Sequence, residues 1–345
     1  MENNNFKKIL VIHPWGIGDL IMFTPALKAV RENLPKSQID LLILGRPHVA
    51  EVLESSPIIS RIINFNWKER GFFERVKLIR SLRREKYDLS LVTGLVNPLR
   101  GGVLSLLTGS RMRAGTYDKK SKALFYNYKI PRTKGRHLVE INLDLVSSLG
   151  FKLKERPEVF CQINEASRNF AKNLIESQSW QDKILIGFHP GAEKVHSYLL
   201  WPKEYFIKLG REISNKFENA RIIIFGGPDE KELCREIKKE IGESAFLATD
   251  FSLGQTMALI SCCRVFVASD SGLGHLASAM GVNLISIFGP SEPQLYAPWG
   301  SKVRVLKSSC RHLYRENYEH DCLKRITPGQ VFEEISKILI IKQIN

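Results

Sequence analysis

Short apolar runs alternate with helix-length amphipathic stretches along most of the chain, and this alternation constrains the fold more than any other feature. In the first half, runs of strand length lie at 8–12, 38–44, 61–65 and 89–93, with amphipathic stretches such as 72–85 between them. The second half repeats the order, with runs at 184–189, 221–225, 245–248, 264–268 and 283–288. Strands that alternate with helices form a parallel sheet covered on both faces. The pattern predicts an α/β fold of two doubly wound halves with a cleft between them.

The length of the chain fits two domains. A chain of 345 residues is too long for one ordinary domain. The polar region between Lys152 and Asp182 holds one helical stretch, so we place the boundary there, giving domains at 1–165 and 166–326. Residues 327–345 read as a helix that starts with a proline, and it either stands alone or packs back on the first domain.

The composition is that of a soluble protein. Hydrophobic residues make up 43% of the chain and charged residues 25%, which is the ordinary globular balance. No apolar run approaches the roughly 18 residues that a membrane-spanning helix needs. The apolar run Ile9–Ile12 after the first lysines is too short for a signal peptide. We therefore expect a cytoplasmic protein.

Positive charge is concentrated in one segment. The formal net charge is +15, and between Lys68 and Lys86 eight basic residues face only three glutamates. Such a helix face is either simply solvated or attracts an anionic partner: nucleic acid, anionic lipid or an acidic glycolipid. Nucleic acid ranks last, because aromatic residues interleave poorly with the charges and no nucleic-acid-binding module is recognisable.

Four potential zinc ligands lie close together near the end of the chain. Cys310, His312, His320 and Cys322 form the pattern C-x-H-x7-H-x-C. These intervals do not match the spacings of zinc fingers. A reduced, partly packed loop is the favoured interpretation, and we predict neither a metal nor a cofactor.

The first loop that carries chemistry follows the first strand. Gly16-Ile17-Gly18 is a weak dinucleotide-binding signal, because the third glycine position holds Ile21. Asp19 comes next, and two interpretations stay open. It is either a helix N-cap or a carboxylate that accepts a proton from an incoming hydroxyl. The glycines let a substrate approach the backbone closely.

Two loops of the second half suit a phosphate. Residues 189–194 place small residues and Lys194 after a strand, although Pro-Gly is equally a routine turn. The stronger signal is Ser269-Asp270-Ser271-Gly272-Leu273-Gly274-His275, which opens a helix. Backbone N–H groups at a helix N-terminus attract an anion, and the helix dipole adds to the attraction. The chain contains no D-x-D pair to hold a divalent metal, so the helix and basic side chains would stabilise a diphosphate without one.

Taken together, these motifs resemble glycosyltransferase family 9, the bacterial heptosyltransferases, over nearly the whole chain. The resemblance rests on several motifs in the family's order: Gly18-Asp19-Leu20-Ile21, Thr24-Pro25-Ala26-Leu27, His189-Pro190-Gly191-Ala192, Trp201-Pro202, Gly226-Gly227-Pro228-Asp229-Glu230, Ser269 to Ala277, and Phe288-Gly289-Pro290-Ser291. The tail pattern Cys322-Leu323, Ile326-Thr327-Pro328 and Val331 agrees. The resemblance implies a GT-B fold with the acceptor on the N-terminal domain and the donor on the C-terminal domain. It also implies inverting transfer of a heptose from ADP-heptose to the anionic inner core of lipopolysaccharide, at the inner face of the cytoplasmic membrane.

The resemblance assigns roles to individual residues. Asp19 resembles the general base, and Gly16, Gly18 and Arg113 are the candidate acceptor contacts. The candidate donor contacts, from diphosphate, sugar, ribose and adenine, are Gly191, Lys194, His196, Glu230, Phe251, Asp270, Ser271, Gly272, Leu273 and His275.

One position departs from the family pattern. Family members commonly carry a lysine two residues before Trp-Pro, where this chain has Leu199. Either Lys194 or His196 substitutes for it, or the donor or activity differs. The alternatives are therefore a transferase of another nucleotide sugar onto a core or O-antigen acceptor, a sugar-nucleotide 2-epimerase, and a non-catalytic sugar-nucleotide-binding protein.

Overall fold

The chain divides into two compact units, Met1–Gln162 and Ile163–Asn345. The computed structural model describes residues 6–94, 96–118, 123–155, 157–191, 200–310 and 321–340. The domain boundary expected at 165/166 therefore lies close to the division between the units.

The first unit is one parallel sheet with helices on its faces. Its strands are β1 Lys8–His13, β2 Gln38–Ile43, β3 Arg61–Asn64, β4 Leu89–Val92, β5 Met112–Tyr117 and β6 Tyr128–Pro131. Its helices are α1 Ile17–Asn33, α2 Phe72–Glu85, α3 Pro98–Leu107 and α4 Leu138–Ser148. In the described residues the strand order is β3-β2-β1-β4-β5-β6.

The apolar runs of this unit are central strands because both of their faces are covered. Alternate residues of β1, including Leu10 and Ile12, join a buried cluster with Leu78 and Leu82 of α2. Helix α1 packs instead against α4. A strand that is covered on both sides has no solvent-facing position, which explains why it reads as a continuous apolar run.

The second unit repeats this architecture. Its strands are β7 Ile184–His189, β8 Ala220–Phe225, β9 Ala245–Ala248, β10 Val265–Ser269, β11 Asn283–Phe288 and β12 Val303–Lys307. Its helices are α5 Glu165–Ser177, α6 Lys203–Lys216, α7 Lys231–Ile241, α8 Leu253–Ser261, α9 Gly272–Ala279, α10 Pro293–Tyr296 and α11 Pro328–Ile340. The described strands are parallel, in the order β12-β11-β10-β7-β8-β9.

The C-terminal helix α11 contributes to the core of the second unit. It packs on α6 and β11, and Val331 and Ile335 share a buried cluster with Phe206. Trp201, which is almost fully buried, donates its indole N–H to the carbonyl of Ile326 at 2.8 Å, just before this helix. Whether the segment 327–345 also returns onto the first unit stays a prediction.

Within the described residues, none of the helices combines the length and the apolar character that a membrane crossing requires.

Candidate functional site

Asp19 lies in the first turn of α1, directly beyond the carboxyl end of β1. The N-cap interpretation of Asp19 places the first helical residue at Leu20, whereas the helix begins at Ile17 and its N-cap is Gly16. The interpretation of Asp19 as the N-cap is therefore wrong. A carboxylate in the first turn is instead stabilised in its charged form by the helix dipole, and Asp19 is half-buried rather than enclosed.

His13 fixes the loop in front of Asp19. The imidazole is fully buried, its Nδ1 lies 2.9 Å from Thr93 Oγ1, and its Nε2 lies 3.0 Å from the carbonyl oxygen of Gly16. A carbonyl can only accept, so Nε2 carries the proton and Nδ1 accepts from the threonine hydroxyl. Burial lowers the pKa of His13 to about 4. A neutral histidine therefore ties the start of α1 to the end of β4.

Two glycines leave room around Asp19. Gly94, in the turn after β4, has φ of +64°, and a Cβ on it would lie 4.0 Å from Asp19 Oδ1. A Cβ on Gly16 would meet no atom of the described residues within 4 Å. Gly18 follows in the first turn and is half-buried. The carboxylate thus stands beside backbone that a substrate can approach closely.

Arg113 is placed away from this group. It lies near the amino end of β5, paired in register with Ser90 rather than with the carboxyl end of the neighbouring strand. Its guanidinium donates to the carbonyls of Phe125 at 2.8 Å and Ser110 at 3.1 Å. The structure therefore does not bring Arg113 together with Asp19, Gly16 and Gly18, and it engages the arginine with the backbone at Ser110 and Phe125 instead.

In the second unit, the predicted anion cradle is the N-terminus of α9. Ser271 is the N-cap in an extended conformation, and its Oγ accepts from the Gly274 backbone N–H at 3.4 Å. Gly272 and Leu273 form the first turn, Asp270 lies immediately before the cap, and all three are half-buried. His275 is one turn into the helix and is 4% exposed. The first N–H groups of an eight-residue helix point outwards here, at the carboxyl edge of the sheet.

His189, which sequence reasoning did not single out, connects this cradle to Glu230. Its Nδ1 lies 2.9 Å from Ser271 Oγ, and its Nε2 lies 3.2 Å from Glu230 Oε2. Because an ionised carboxylate only accepts, Nε2 donates to Glu230, and Nδ1 shares a hydrogen bond with the serine hydroxyl. His189 therefore links the N-cap of α9 to Glu230.

Glycines hold Glu230 in place. The Glu230 carboxylate also accepts from the backbone N–H of Gly227 at 2.6 Å. A Cβ on Gly191 would lie only 2.0 Å from Glu230 Oε1. The structure thus brings Gly191, Glu230 and Ser271 together around His189, where the sequence had predicted separate contacts to phosphate and ribose.

Phe251 lies in the loop after β9, at the same carboxyl edge but two strands away from β7. Its ring is half-buried and packs edge-on against Phe170, with ring centroids 4.9 Å apart. The contact with Phe170 fixes the orientation of the Phe251 ring. This ring lies at the end of the sheet edge where the sequence predicted the adenine contact.

Some predicted ligands lie outside the described residues. These are Lys194, His196, His312 and His320, together with Leu199. Cys310 and Cys322 are described, and the two thiols hydrogen-bond to each other. The pKa of Cys322 is raised to about 11, mainly by burial and to a smaller extent by the hydrogen bond with Cys310. In the part of the chain that the structure describes, no group of three or more His, Cys, Asp or Glu residues is arranged to hold a metal ion.

Comparison with known proteins assigns the family. The model of glycosyltransferase family 9 (heptosyltransferase) matches residues 75–325, which is more than half of the chain. The chain belongs to glycosyltransferase family 9. It is therefore a glycosyltransferase, and both the second-unit cradle and its His189–Glu230 support lie inside the matched region.

Relatives extend the similarity over nearly the whole chain. Lipopolysaccharide heptosyltransferase 2 of Escherichia coli K12 is 28% identical over 96% of this chain and 99% of its own length. The solved structure of E. coli ADP-heptose lipopolysaccharide heptosyltransferase II has a TM-score of 0.79 at 26% identity and covers 97% of this chain and 99% of its own. A family 9 glycosyltransferase from Veillonella parvula has a TM-score of 0.81 at 24% identity, covering 97% and 98%, and shows the fold alone. The fold is GT-B, with two Rossmann-like units, as the sequence predicted.

Proposed function

We propose that this glycosyltransferase moves a heptose from ADP-heptose to the inner core of lipopolysaccharide, with inversion and without a metal ion. The observation that carries the proposal is the Ser271-capped N-terminus of α9, braced by His189 and Glu230 at the carboxyl edge of the second sheet. The similarity to E. coli lipopolysaccharide heptosyltransferase 2, and to a solved structure described as E. coli ADP-heptose lipopolysaccharide heptosyltransferase II, supports the choice of donor.

The donor diphosphate binds at α9. The N–H groups of Gly272 and Leu273 and the positive end of the helix dipole bind its oxygens and stabilise the charge that develops as the diphosphate leaves. Asp270 contacts the donor sugar, Glu230 the ribose and Phe251 the adenine. The chain lacks the D-x-D pair that holds a divalent metal in other transferases. The helix dipole and backbone N–H groups stabilise the charge of the leaving diphosphate in place of that metal.

Asp19 is the general base. An acceptor hydroxyl oxygen attacks the anomeric carbon while the bond from that carbon to the diphosphate oxygen breaks, and the hydroxyl proton passes to the Asp19 carboxylate. A single displacement from the face opposite the leaving group inverts the anomeric centre. The neutral His13 and the glycines Gly16 and Gly94 keep the carboxylate accessible without adding a competing charge.

The acceptor is an anionic glycolipid, and the protein acts in the cytoplasm, peripherally at the inner face of the membrane. The net charge of +15 supports this choice, because a cationic surface concentrates a phosphorylated substrate.

One observation favours a second candidate. Leu199 stands where the family commonly has a lysine, so a donor other than ADP-heptose, transferred to a core or O-antigen acceptor, is the alternative.

A donor panel separates the two candidates. Purified protein is incubated with a deacylated, inner-core acceptor and one donor at a time: ADP-heptose, another ADP-sugar, a UDP-sugar and a GDP-sugar. We expect one heptose to be added from ADP-heptose alone, in the presence of a chelator, with the opposite anomeric configuration in the product. Preferred transfer from another donor would replace the proposal by the alternative, and a requirement for a divalent cation would contradict the metal-free mechanism.

A further inference from the structure

The start of α2 presents two adjacent phenylalanines to solvent. Phe72 is 73% exposed and Phe73 is 86% exposed, and their rings contact each other edge-on with centroids 5.8 Å apart. Single exposed apolar residues are ordinary, but two neighbouring aromatic rings left in water are typical of a contact surface. Neither ring contributes to the buried clusters of the first unit, whose α2 members are Leu78 and Leu82.

The rest of the outward face of α2 is cationic. Phe73, Lys77, Arg80 and Arg84 follow one another at intervals of four, three and four residues, which places them on one side of the helix, opposite Leu78 and Leu82. All four are exposed. Among the described residues, Lys77, Arg80 and Arg84 are exposed and form no ion pair within 4.0 Å. Lys77 interacts electrostatically with Glu74, which pairs with Arg70.

Further exposed leucines lie on the elements beside α2. Leu99, Leu106 and Leu107 of α3 are 50%, 42% and 40% exposed, and Leu124 is 67% exposed. Helix α3 and the segment around Tyr126 pack into the same cluster as α2, so they cover the same face of the sheet. The turn after α3 also meets α2, since a Cβ on Gly109 would lie 3.5 Å from Arg83 Cγ. The face therefore combines apolar side chains with unpaired cations.

We propose that this face, defined by Phe72, Phe73, Lys77, Arg80 and Arg84, docks the protein on an anionic lipid bilayer. The two phenyl rings enter the headgroup–acyl boundary, and the cations lie over lipid phosphates. Charge complementarity selects the bilayer, because an amphipathic helix with aromatic residues at one end and a cationic stripe suits an interface that is apolar below an anionic layer. The choice of a membrane as the partner rests on the proposed function in one respect, which is that the proposed acceptor is a glycolipid. The residues of the docking face are not those of the proposed donor site.

Vesicle sedimentation with the full chain tests the proposal. The vesicles contain phosphatidylglycerol and phosphatidylethanolamine, or phosphatidylcholine alone, and no glycolipid, at low and at high salt. We expect binding to the anionic vesicles that weakens as salt rises. Phe72→Ser with Phe73→Ser should weaken it at least tenfold. Replacing Lys77, Arg80 and Arg84 by Gln should cost about fivefold for each cation and flatten the salt dependence.

Matched variants control for charge and for apolar area. Lys208, Lys216 and Lys239 are exposed lysines of α6 and α7, and changing all three to Gln removes the same charge from the second unit. Leu153→Ser with Val305→Ser removes two other exposed apolar side chains. Both controls should bind vesicles like the unchanged protein. Equal losses in the controls, equal binding to phosphatidylcholine, or no vesicle binding would each overturn the proposal.

A second readout reports insertion directly. In Phe73→Trp, the added indole fluorescence should shift to the blue on anionic vesicles and be quenched by lipids brominated near the headgroup.

Sedimentation velocity without lipid tests whether the face binds a second copy of the chain. It should give the same mass for the Phe72→Ser, Phe73→Ser protein and the unchanged protein. A dimer that the variant dissociates would assign the face to a second copy and overturn the proposal. Transfer to a deacylated acceptor should be unchanged in the Phe72→Ser, Phe73→Ser protein and in Phe73→Trp. Loss of vesicle binding with normal transfer is a failure of docking alone, whereas normal docking without transfer is a failure of the proposed function alone.

Discussion

Two histidines occupy equivalent positions in the two units. His13 ends β1 and His189 ends β7, each precedes a proline, and each places Nδ1 2.9 Å from a hydroxyl that follows the neighbouring strand. The local sequences are alike, with Lys-Ile-Leu at 8–10 at the start of β1 and at 183–185 across the start of β7. Their hydroxyl partners, Thr93 and Ser271, are 80 and 82 residues away, so only the folded sheet brings each pair together. This distance in sequence is why neither histidine could be recognised as part of a site from its local motif.

His13 should make stability depend on pH in a defined window. Its pKa is lowered by burial from 6.5 to about 4, so between these values the unfolded chain binds a proton that the folded protein does not. Stability should therefore be complete above pH 6.5 and fall as pH drops towards 4, by on the order of 3 kcal/mol from this group. His13→Gln keeps a polar side chain without the titration. Urea unfolding between pH 4.5 and 7.5 should show a shallower decline for the variant, and parallel curves would contradict the assignment.

Gly191 should be intolerant of a side chain. In Gly191→Ala the new Cβ would lie 2.0 Å from Glu230 Oε1, so the carboxylate must leave His189. We expect ADP affinity to fall at least tenfold while the fold is retained. Gly329→Ala is the control, because a Cβ there comes no closer than 3.9 Å to Thr327. Calorimetric titration of both variants with ADP measures the difference, and equal affinities would show that Glu230 does not support the site.

At the scale of elements, the strands that the sequence predicted are mainly those whose side chains are buried on both faces. The apolar runs at 8–12 and 184–189 correspond to β1 and β7. Strands β6 and β12 were not predicted, because Lys129 and Arg304 interrupt their short apolar runs. Edge position alone does not explain this, since β3 and β9 are also edge strands and were predicted. Strand β5 was not predicted for a different reason, which is that Gly115 interrupts it. A glycine is needed there because a Cβ would lie 2.4 Å from the ring of Tyr126, which packs against this position.

Helix ends rich in glycine were harder to predict than helix interiors. Helix α1 begins at Ile17, in a stretch that reads as loop because of Gly16 and Gly18, and this shifts Asp19 from the cap into the first turn. The α9 cradle was predicted because its serines and glycines are themselves the signal for a capped helix start. The contacts of His189 and Glu230 that support the cradle could not be predicted, because they depend on the order of the strands in the sheet.

Ser271→Ala should affect both the helix and the ligand. The variant loses the N-cap, which should lower the free energy of unfolding by about 1 kcal/mol. It also frees the His189 Nδ1 that the hydroxyl now occupies, and we expect ADP binding to weaken severalfold beyond the stability effect. Asn164→Ala removes the N-cap of α5, whose side chain accepts from the Ser167 N–H at 2.7 Å, and should lower stability alone. Equal effects of the two variants on ADP affinity would remove Ser271 from the donor site.

At the scale of the whole molecule, the chain forms two units with separate sheets and cores. The sequence predicted two units because the strand–helix alternation restarts in the second half, whereas the net charge of +15 left both a solvated surface and an anionic partner open. The distribution of that charge could not be predicted, because exposure decides which cations are available. Arg113 is engaged by backbone carbonyls, whereas Lys77, Arg80 and Arg84 face solvent.

Nucleotide should stabilise the second unit selectively. A ligand that binds only the folded state adds about 2.7 kcal/mol at a concentration of one hundred times its Kd. With ADP at that level, amide hydrogen exchange should slow in the strands and helices of Ile163–Asn345, most of all around β7, β10 and α9. Slowing centred on β1 and α1 would assign the donor to the first unit instead.

The turnover of Asp19→Asn is the most direct measurement of how the transferase works. Substitution of a general base costs about 10²–10⁴-fold in rate, so transfer from ADP-heptose to the inner-core acceptor should fall by that factor at saturating substrates. The Kd for the donor should stay within about twofold, because the donor contacts that we propose belong to the second unit. Asp182→Asn, the same change at an exposed residue, should leave both unchanged. Near-normal turnover of Asp19→Asn would contradict the role of Asp19 as the base.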